Sequence, residues 1–187
     1  AVLGAAGAAA VGATAALGRL AQEGGRTLTI QSAFAARVGE SERALAGMRE
    51  ATQGLVSDLD LMTQANQAFT LGSVRSVDEF NDLAAAAQAL GRSLGLDAAF
   101  ALESLNIGIA RQSRLILDNL GLIVSADEAN QKYAESIGRT VSSLSDAERQ
   151  EAFRTAAMEQ ARQKVEELGD ATLNAGDAYT QLTVEIA

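Results

Sequence analysis

The 187-residue sequence contains no proline, no cysteine and no histidine. Average usage would give about nine prolines in this length, and their absence favours helices over a loop-rich or all-β fold. Without cysteine the chain has no disulfide framework, thiol nucleophile or thiolate metal site. Without histidine it has no imidazole base, no Ser-His triad and no ordinary zinc site. These absences exclude most hydrolase and metalloenzyme mechanisms, so we expect a protein that is not an enzyme and uses no cofactor.

Aromatic residues are also scarce, at 4%, whereas alanine is abundant. This is the composition of helices, and we expect an all-α fold: an array of short amphipathic helices with one longer helix near the C-terminus. The negative charge that gives the net value of −9 is concentrated after residue 54, where the sequence has ten basic and twenty acidic residues. Nucleic-acid binding needs clustered Lys and Arg, so no sequence-specific nucleic-acid binding is expected.

Helix starts recur along the chain as Ser-x-x-acid motifs ahead of apolar-periodic runs. In a capping box the Ser hydroxyl and the Glu carboxylate each satisfy a backbone N–H of the first turn. The three full motifs and the weaker Asp version are Ser76/Glu79, Ser125/Glu128, Ser145/Glu148 and Ser57/Asp60. They predict regular helices, the longest being Asp146–Leu168.

Helix ends are predicted where a glycine follows a periodic stretch, because glycine readily adopts the left-handed conformation that ends a helix. These glycines are Gly39, Gly54, Gly72, Gly95, Gly121, Gly138 and Gly169. Glu23-Gly24-Gly25 is interpreted as a break ahead of helices over Arg26–Arg37 and Glu40–Gln53. Leu115–Val124 is apolar but interrupted, and predicts a short helix and a turn.

Apolar residues at helical spacing form three stripes that predict the buried faces of the main helices. They are Phe80, Leu83, Ala84, Ala87, Leu90 and Leu94; Ala98, Leu102, Leu105 and Ile109; and Phe153, Ala156, Ala157, Ala161, Val165 and Leu168. Because alanine stripes are shallow, we expect copies of the chain to associate.

Two short motifs suggest chemistry, but their context argues against it. Gly91–Gly95 matches the G-x-S-x-G nucleophile pattern, which requires a preceding strand and a histidine base. We interpret it as a helix C-terminus. Asp58 and Asp60 lack the further ligands of a calcium loop and are interpreted as a helix cap.

The other charged residues that lie close together in the sequence are interpreted as solvated or as stabilising the fold, not as a site for chemistry. Adjacent acids such as Glu166 and Glu167 point to different helix faces and are expected to be solvated. Arg111 or Arg114 could pair with Asp118, and we favour a stabilising ion pair over a substrate clamp.

The first twenty residues, Ala1–Leu20, form an Ala/Gly-rich hydrophobic stretch with no charge before Arg19. As a helix, eighteen of them would span about 27 Å, close to the thickness of a bilayer. A helix-packing or membrane face is formed by four small residues at i, i+4 spacing: Gly4, Ala8, Gly12 and Ala16. We favour burial in an oligomer or tube over membrane insertion, because Ala and Gly insert less readily than Leu or Ile.

Three regions follow from these patterns: a hydrophobic helix over residues 1–22, a helical linker region over 23–54 and a helical region over 55–187. The chain has no initiating Met, and Tyr179–Ala187 ends in apolar-periodic residues with no stop signal. We therefore expect it to be the ordered part of a longer polypeptide.

The residues from about 40 to 187 carry an ordered set of short matches to a known family. The most distinctive run is Gly108–Ser113 followed by Ile116–Gly121. The other matches, in order, are Leu55–Met62, Ala65–Ala68, Phe80–Ala84, Ala89–Arg92, Leu94–Ala98, Ala101–Leu105, Tyr133-Ala134, Leu144–Glu148 and Leu168–Asp170. Taken together, this order resembles the helical region of phage tail tape measure proteins.

The resemblance implies a structural virion protein that sets tail length and scaffolds tail-tube assembly. It implies a location in the tail lumen and tip, release at genome ejection, tail-tube and hub proteins as partners, and self-association as a small symmetric oligomer, a trimer. It transfers no catalytic, cofactor or metal residues. The alternative is a membrane-active or pore-forming helical module that forms a channel in the host envelope.

Overall fold

Among the residues described, the regular secondary structure consists of helices, and no strand occurs. The computed structural model describes residues 24–168, 180–181 and 183–184. The prediction of an all-α fold is confirmed for this part of the chain. Ala1–Leu20, with Gly4, Ala8, Gly12 and Ala16, lies outside the described residues, as does Gly169.

Eight α-helices follow one another in the main described segment, with one short 3₁₀ turn. We number them α1 (24–38), α2 (Ser41–Ala51), α3 (Asp58–Leu71), α4 (Val77–Leu94), α5 (Ala98–Ala110), α6 (Arg114–Asp118), α7 (Ala126–Ser136) and α8 (Asp146–Leu168), the 3₁₀ turn being Val141–Ser143. The long helix has the predicted bounds, and α6 is the short helix predicted within Leu115–Val124.

Helix α4 lies at the centre and packs against α2, α5 and α8. Four of its five alanines and Gly91 are buried, on several sides of the helix, which lets neighbouring helices approach closely. A Cβ added at Gly91 would lie 3.0 Å from the Cβ of Ala101 on α5. The shallow stripe of α4 is therefore covered within one chain, and it gives no reason by itself for copies to associate.

One hydrophobic core joins the linker region to the helices that follow it. Phe34 of α1 and Met48 of α2 are fully buried in the same cluster as Phe80 of α4 and Phe153 of α8. Three phenylalanines thus supply much of the bulk of a core otherwise built from leucine and alanine. The boundary at residue 54 stays a prediction, although no gap in the core marks it.

The predicted buried stripes are largely confirmed. The α5 stripe is buried throughout, whereas Ala156 and Val165 of the α8 stripe are half-buried, and Leu94 at the end of α4 and Leu168 at the end of α8 are exposed. The two exposed leucines are the last residues of their helices.

Local signals placed most helix boundaries correctly, with one error. Every predicted helix-ending glycine in the described residues has a positive φ, between 67° and 74°. The predicted break at Glu23-Gly24-Gly25 is wrong for its described part, because Gly24 and Gly25 belong to α1. Two glycines lower helix propensity, but α1 is held by Phe34 in the core and by Ile30 and Val38 against it.

Candidate interaction surface

The catalytic-looking motif at Gly91–Gly95 closes helix α4. Ser93 donates its hydroxyl hydrogen bond to the carbonyl of Leu90, at 2.8 Å, and Gly95 adopts the left-handed conformation with φ 68°. The interpretation as a helix C-terminus is confirmed, since the serine follows a helix and satisfies a carbonyl of its last turn.

The two acids at the start of α3 are occupied by local partners. Asp58 accepts two hydrogen bonds from Arg49, at 2.7 and 2.6 Å. Arg49 lowers the pKa of Asp58 through these bonds, and burial only partly opposes it. Asp60 accepts a bond from the Ser57 hydroxyl, whose oxygen in turn caps the Asp60 N–H. The helix-cap interpretation is therefore confirmed, and the described residues contain no cluster of acids arranged to hold a metal ion.

The predicted ion pair at Asp118 does not form. No ion pair within residues 24–168 joins Asp118 to Arg111 or Arg114. Instead, Arg114 and Asp118 line an open groove of about 430 Å³ with Leu115, Ile123 and Val124. Arg114 and Asp118 lie one helical turn apart, but the basic residue precedes the acidic one, which is the less favourable order for a pair within a helix.

A buried arginine is the strongest polar feature that the sequence patterns did not reveal. Arg154 of α8 donates to Glu151, at 2.5 Å, and across the helix interface to Glu79 of α4, at 2.7 Å. Arg75 completes the cluster by pairing with Glu151 at 2.6 Å. The hydrogen bond that Arg154 donates to Glu151 holds the pKa of Glu151 below its ordinary value. All four charges are mutually satisfied, so this cluster fastens α8 to the start of α4.

A second buried polar cluster joins α3, and the turn that follows it, to α5. Ser73, in the turn before α4, donates its hydroxyl to the Oδ1 of Asn106, and both residues are fully buried. The Asn106 amide donates in turn to the backbone and side chain of Gln64, at 3.4 and 3.3 Å. Since each of these polar groups is hydrogen-bonded to another protein group, we interpret the cluster as one that stabilises the fold.

A shallow groove of about 220 Å³ runs between α7 and α8. Lys132 and Tyr133 of α7 and Glu159 and Gln163 of α8 are among the residues that line it. Its walls carry charges of both signs on exposed side chains, without the buried convergent polar groups of a small-molecule site.

The described helices contain none that is long and apolar enough to cross a membrane. The features described above are two polar clusters that hold helices together, two grooves, and one pair of exposed apolar side chains, Leu115 and Ile123. Of these features, the groove beside α6 combines exposed apolar side chains with charged groups that lack a partner, which makes it the best candidate for an interaction surface.

Comparison of the chain with models of protein families, with curated proteins and with solved structures gave no match.

Proposed function

We propose that this chain is a helical segment of a phage tail tape measure protein, with a structural role and no enzymatic one. The observation that carries the proposal is the ordered resemblance across residues 40–187, with its most distinctive run at Gly108–Ser113 and Ile116–Gly121. That run folds into a single unit, the corner between α5 and α6.

The residues of this corner have specific structural tasks. Gly108 leaves room for Leu117, and its carbonyl accepts a hydrogen bond from the Ser113 N–H at 2.8 Å. Ser113 then caps α6 through the Ile116 N–H, and Gly121 closes the following turn. Three residues of the run, Gly108, Ser113 and Gly121, thus have a stereochemical reason at their positions, which supports a shared folding unit over a coincidence of composition.

Composition and charge support the same role. A chain with net charge −9 repels the DNA that shares a tail lumen, and so can leave ahead of it without adhering. In the proposed role the chain lies in the tail lumen and tip, contacts tail-tube and hub proteins, self-associates, and is released when the genome is ejected.

The proposal is tested on the phage that encodes the chain. In-frame deletions and matching insertions are made in the same reading frame outside residues 24–168, and tail lengths are measured by electron microscopy. Deletion of helical sequence should shorten the tail by about 1.5 Å per residue, and insertion should lengthen it equally. Tails of unchanged length in both series would refute the tape measure role.

The alternative, a membrane-active or pore-forming module, rests on the sequence of Ala1–Leu20. Dye leakage from liposomes tests it, with the released full chain compared against Ala9→Asp and the milder Ala9→Ser. Leakage that Ala9→Asp abolishes and Ala9→Ser retains would favour the membrane module, because a charge at mid-helix opposes insertion. Equal leakage from all three chains, or none from any, would leave the structural role.

A further inference from the structure

The two most exposed large apolar side chains in the described residues lie in the same groove. Leu115 is 80% exposed and Ile123 is 68% exposed, and both line the open groove beside α6. Single exposed apolar residues are ordinary on protein surfaces, but a neighbouring pair rimmed by charges is typical of an interaction site.

The backbone around this pair is anchored from the inside. Leu117, Leu120, Leu122 and Val124 are all buried in the core. The Leu122 N–H donates to the carbonyl of Leu117 at 3.0 Å, which closes the turn after α6. Because the buried residues alternate with exposed ones here, Ile123 is held outward by Leu122 and Val124 on either side.

The charged rim of the groove is self-complementary. Arg114 and Asp118 have no ion pair with any residue in 24–168, although four positions separate them on α6. An acidic residue before a basic one is the favourable order for pairing within a helix, and here the order is reversed. The face therefore offers one cation and one anion to an outside partner.

We propose that two copies of the chain pair through this α6 face, defined by Arg114, Leu115, Asp118 and Ile123. In a two-fold contact the same patch meets itself in the opposite direction. Arg114 of each copy then lies opposite Asp118 of the other, with Leu115 and Ile123 covered between the two ion pairs. The charge pattern selects a second copy, because this face carries the complement of its own charges.

This two-fold pairing is a contact separate from the trimer that the resemblance implies, and it rests on the charges and apolar side chains of the α6 face rather than on the proposed tail role. The face is small, so the expected pair is weak, and it is measured at high micromolar concentration. Full-length chains with two different fluorescent labels are mixed, and energy transfer is followed as a function of concentration.

Charge reversal provides the decisive comparison. Arg114→Glu alone and Asp118→Arg alone should each weaken pairing at least tenfold, because like charges then face each other twice. Mixing the two variants should restore pairing, since both acidic side chains of one copy's face then lie opposite the two arginines of the other. Arg111→Glu, at an exposed arginine outside the groove, is the matched control and should pair like the native chain.

The apolar part of the face is tested separately. Leu115→Ser should weaken pairing at least tenfold, whereas Phe100→Ser, at an exposed aromatic residue on α5, should leave it unchanged. Circular dichroism verifies that each variant is folded. A native chain that stays monomeric, pairing insensitive to Leu115→Ser, or charge-reversed variants that fail to recover on mixing would overturn the proposal.

Discussion

Leu117 packs its side chain directly against the backbone of Gly108, where helix α6 meets helix α5. A Cβ placed on Gly108 would lie 2.6 Å from Cδ2 of Leu117 and 3.0 Å from its Cγ. Both residues are buried, and Leu117 is the only buried residue of the five-residue helix α6, so this contact sets where α6 packs. The absence of a side chain at 108 is thus what allows the corner to close.

The first prediction is that Gly108→Ala destabilises the chain. The added methyl group overpacks the contact with Leu117, and we expect a loss of about 1–3 kcal/mol in the free energy of unfolding, measured by urea denaturation. Gly25→Ala is the matched control, because Gly25 is helical and its Cβ would meet nothing within 4 Å. The control should cause no loss, since alanine favours helix more than glycine does. Equal stabilities for the native chain and Gly108→Ala would contradict the tight contact.

The helices could be predicted from sequence because their signals are local. Ser76, Ser125 and Ser145 each accept a hydrogen bond from the N–H three residues on, as a cap requires. The acidic residues of these motifs differ in the N–H that their carboxylates bind. Glu79, for example, accepts a hydrogen bond from the N–H of Arg75 rather than from that of Ser76. The spacing of the residues defines the cap, but which N–H the acid reaches depends on how the chain enters the helix.

The caps without the full motif were missed. Asp97 caps α5 through the Phe100 N–H at 3.1 Å, and Ser113 caps α6 through the Ile116 N–H at 3.4 Å. Each is a good capping residue, but neither has an acidic residue three positions later. A search for the capping residue alone, just after a helix-ending signal, could have found both.

The polar clusters and the exposed pair could not be predicted in the same way. Arg154 and Glu79 are 75 positions apart, so their contact exists only once α8 lies against α4. Leu115 and Ile123 appear in the sequence as two more apolar residues of an apolar run. Only the packing of their neighbours, Leu117 and Val124, shows which members of that run stay outside the core.

The second prediction compares two arginines on the same helix that differ in burial. The Arg154 side chain is 10% exposed within its cluster, whereas Arg162 is 56% exposed beside Asp82. Arg154→Met keeps much of the apolar stem but leaves Glu79 and Glu151 without their shared cation. We expect it to lower the free energy of unfolding by about 3 kcal/mol.

Arg162→Met is the matched control for this prediction, and it should cost less than about 1 kcal/mol, because solvent screens an exposed pair. Both values come from urea denaturation at neutral pH. A loss for Arg162→Met as large as that for Arg154→Met would show that burial does not set the strength of these pairs.

The third prediction concerns the acid sensitivity of the fold. The hydrogen bond from Arg154, followed by the charges of Arg154 and Arg75, lowers the pKa of Glu151 from its ordinary value of 4.5. At pH values near 4 the unfolded chain therefore binds more protons at this residue than the folded chain does. The stabilisation is complete above pH 4.5 and is lost as the pH falls through the lowered folded-state pKa.

Glu151→Gln removes this titration. The variant should be less stable than the native chain at pH 7, and the difference should narrow as the pH is lowered from 6 to 3. Urea denaturation at several pH values measures it. A difference in stability that stays constant over this range would rule out a contribution of Glu151 to the pH dependence.

The last prediction ranks two helix caps that look alike in the sequence. At the start of α8 the Glu148 carboxylate accepts from the N–H of Ser145 at 2.7 Å and from its hydroxyl at 2.8 Å, and Arg139 donates to the same carboxylate at 2.6 Å. The Ser145 N–H, more than the other groups, lowers the pKa of Glu148. At the start of α7, the Ser125 hydroxyl accepts one cap bond from the Glu128 N–H at 3.4 Å, close to the 3.3 Å of the bond that Ser145 accepts from the Glu148 N–H. The two serines therefore differ in the bond that only the Ser145 hydroxyl donates to its carboxylate. Ser145→Ala keeps the bond from the backbone N–H but removes both hydroxyl bonds, so it should cost about 1–2 kcal/mol of unfolding free energy, whereas Ser125→Ala should cost about 0.5 kcal/mol, at the two ends of the range for N-caps. Because Ser145 also orients the carboxylate that Arg139 binds, Ser145→Ala should in addition weaken the link between α7 and α8. Hydrogen exchange of the amides in the first turn of α8 would report this loosening, and equal exchange in the native chain and in both variants would contradict the ranking.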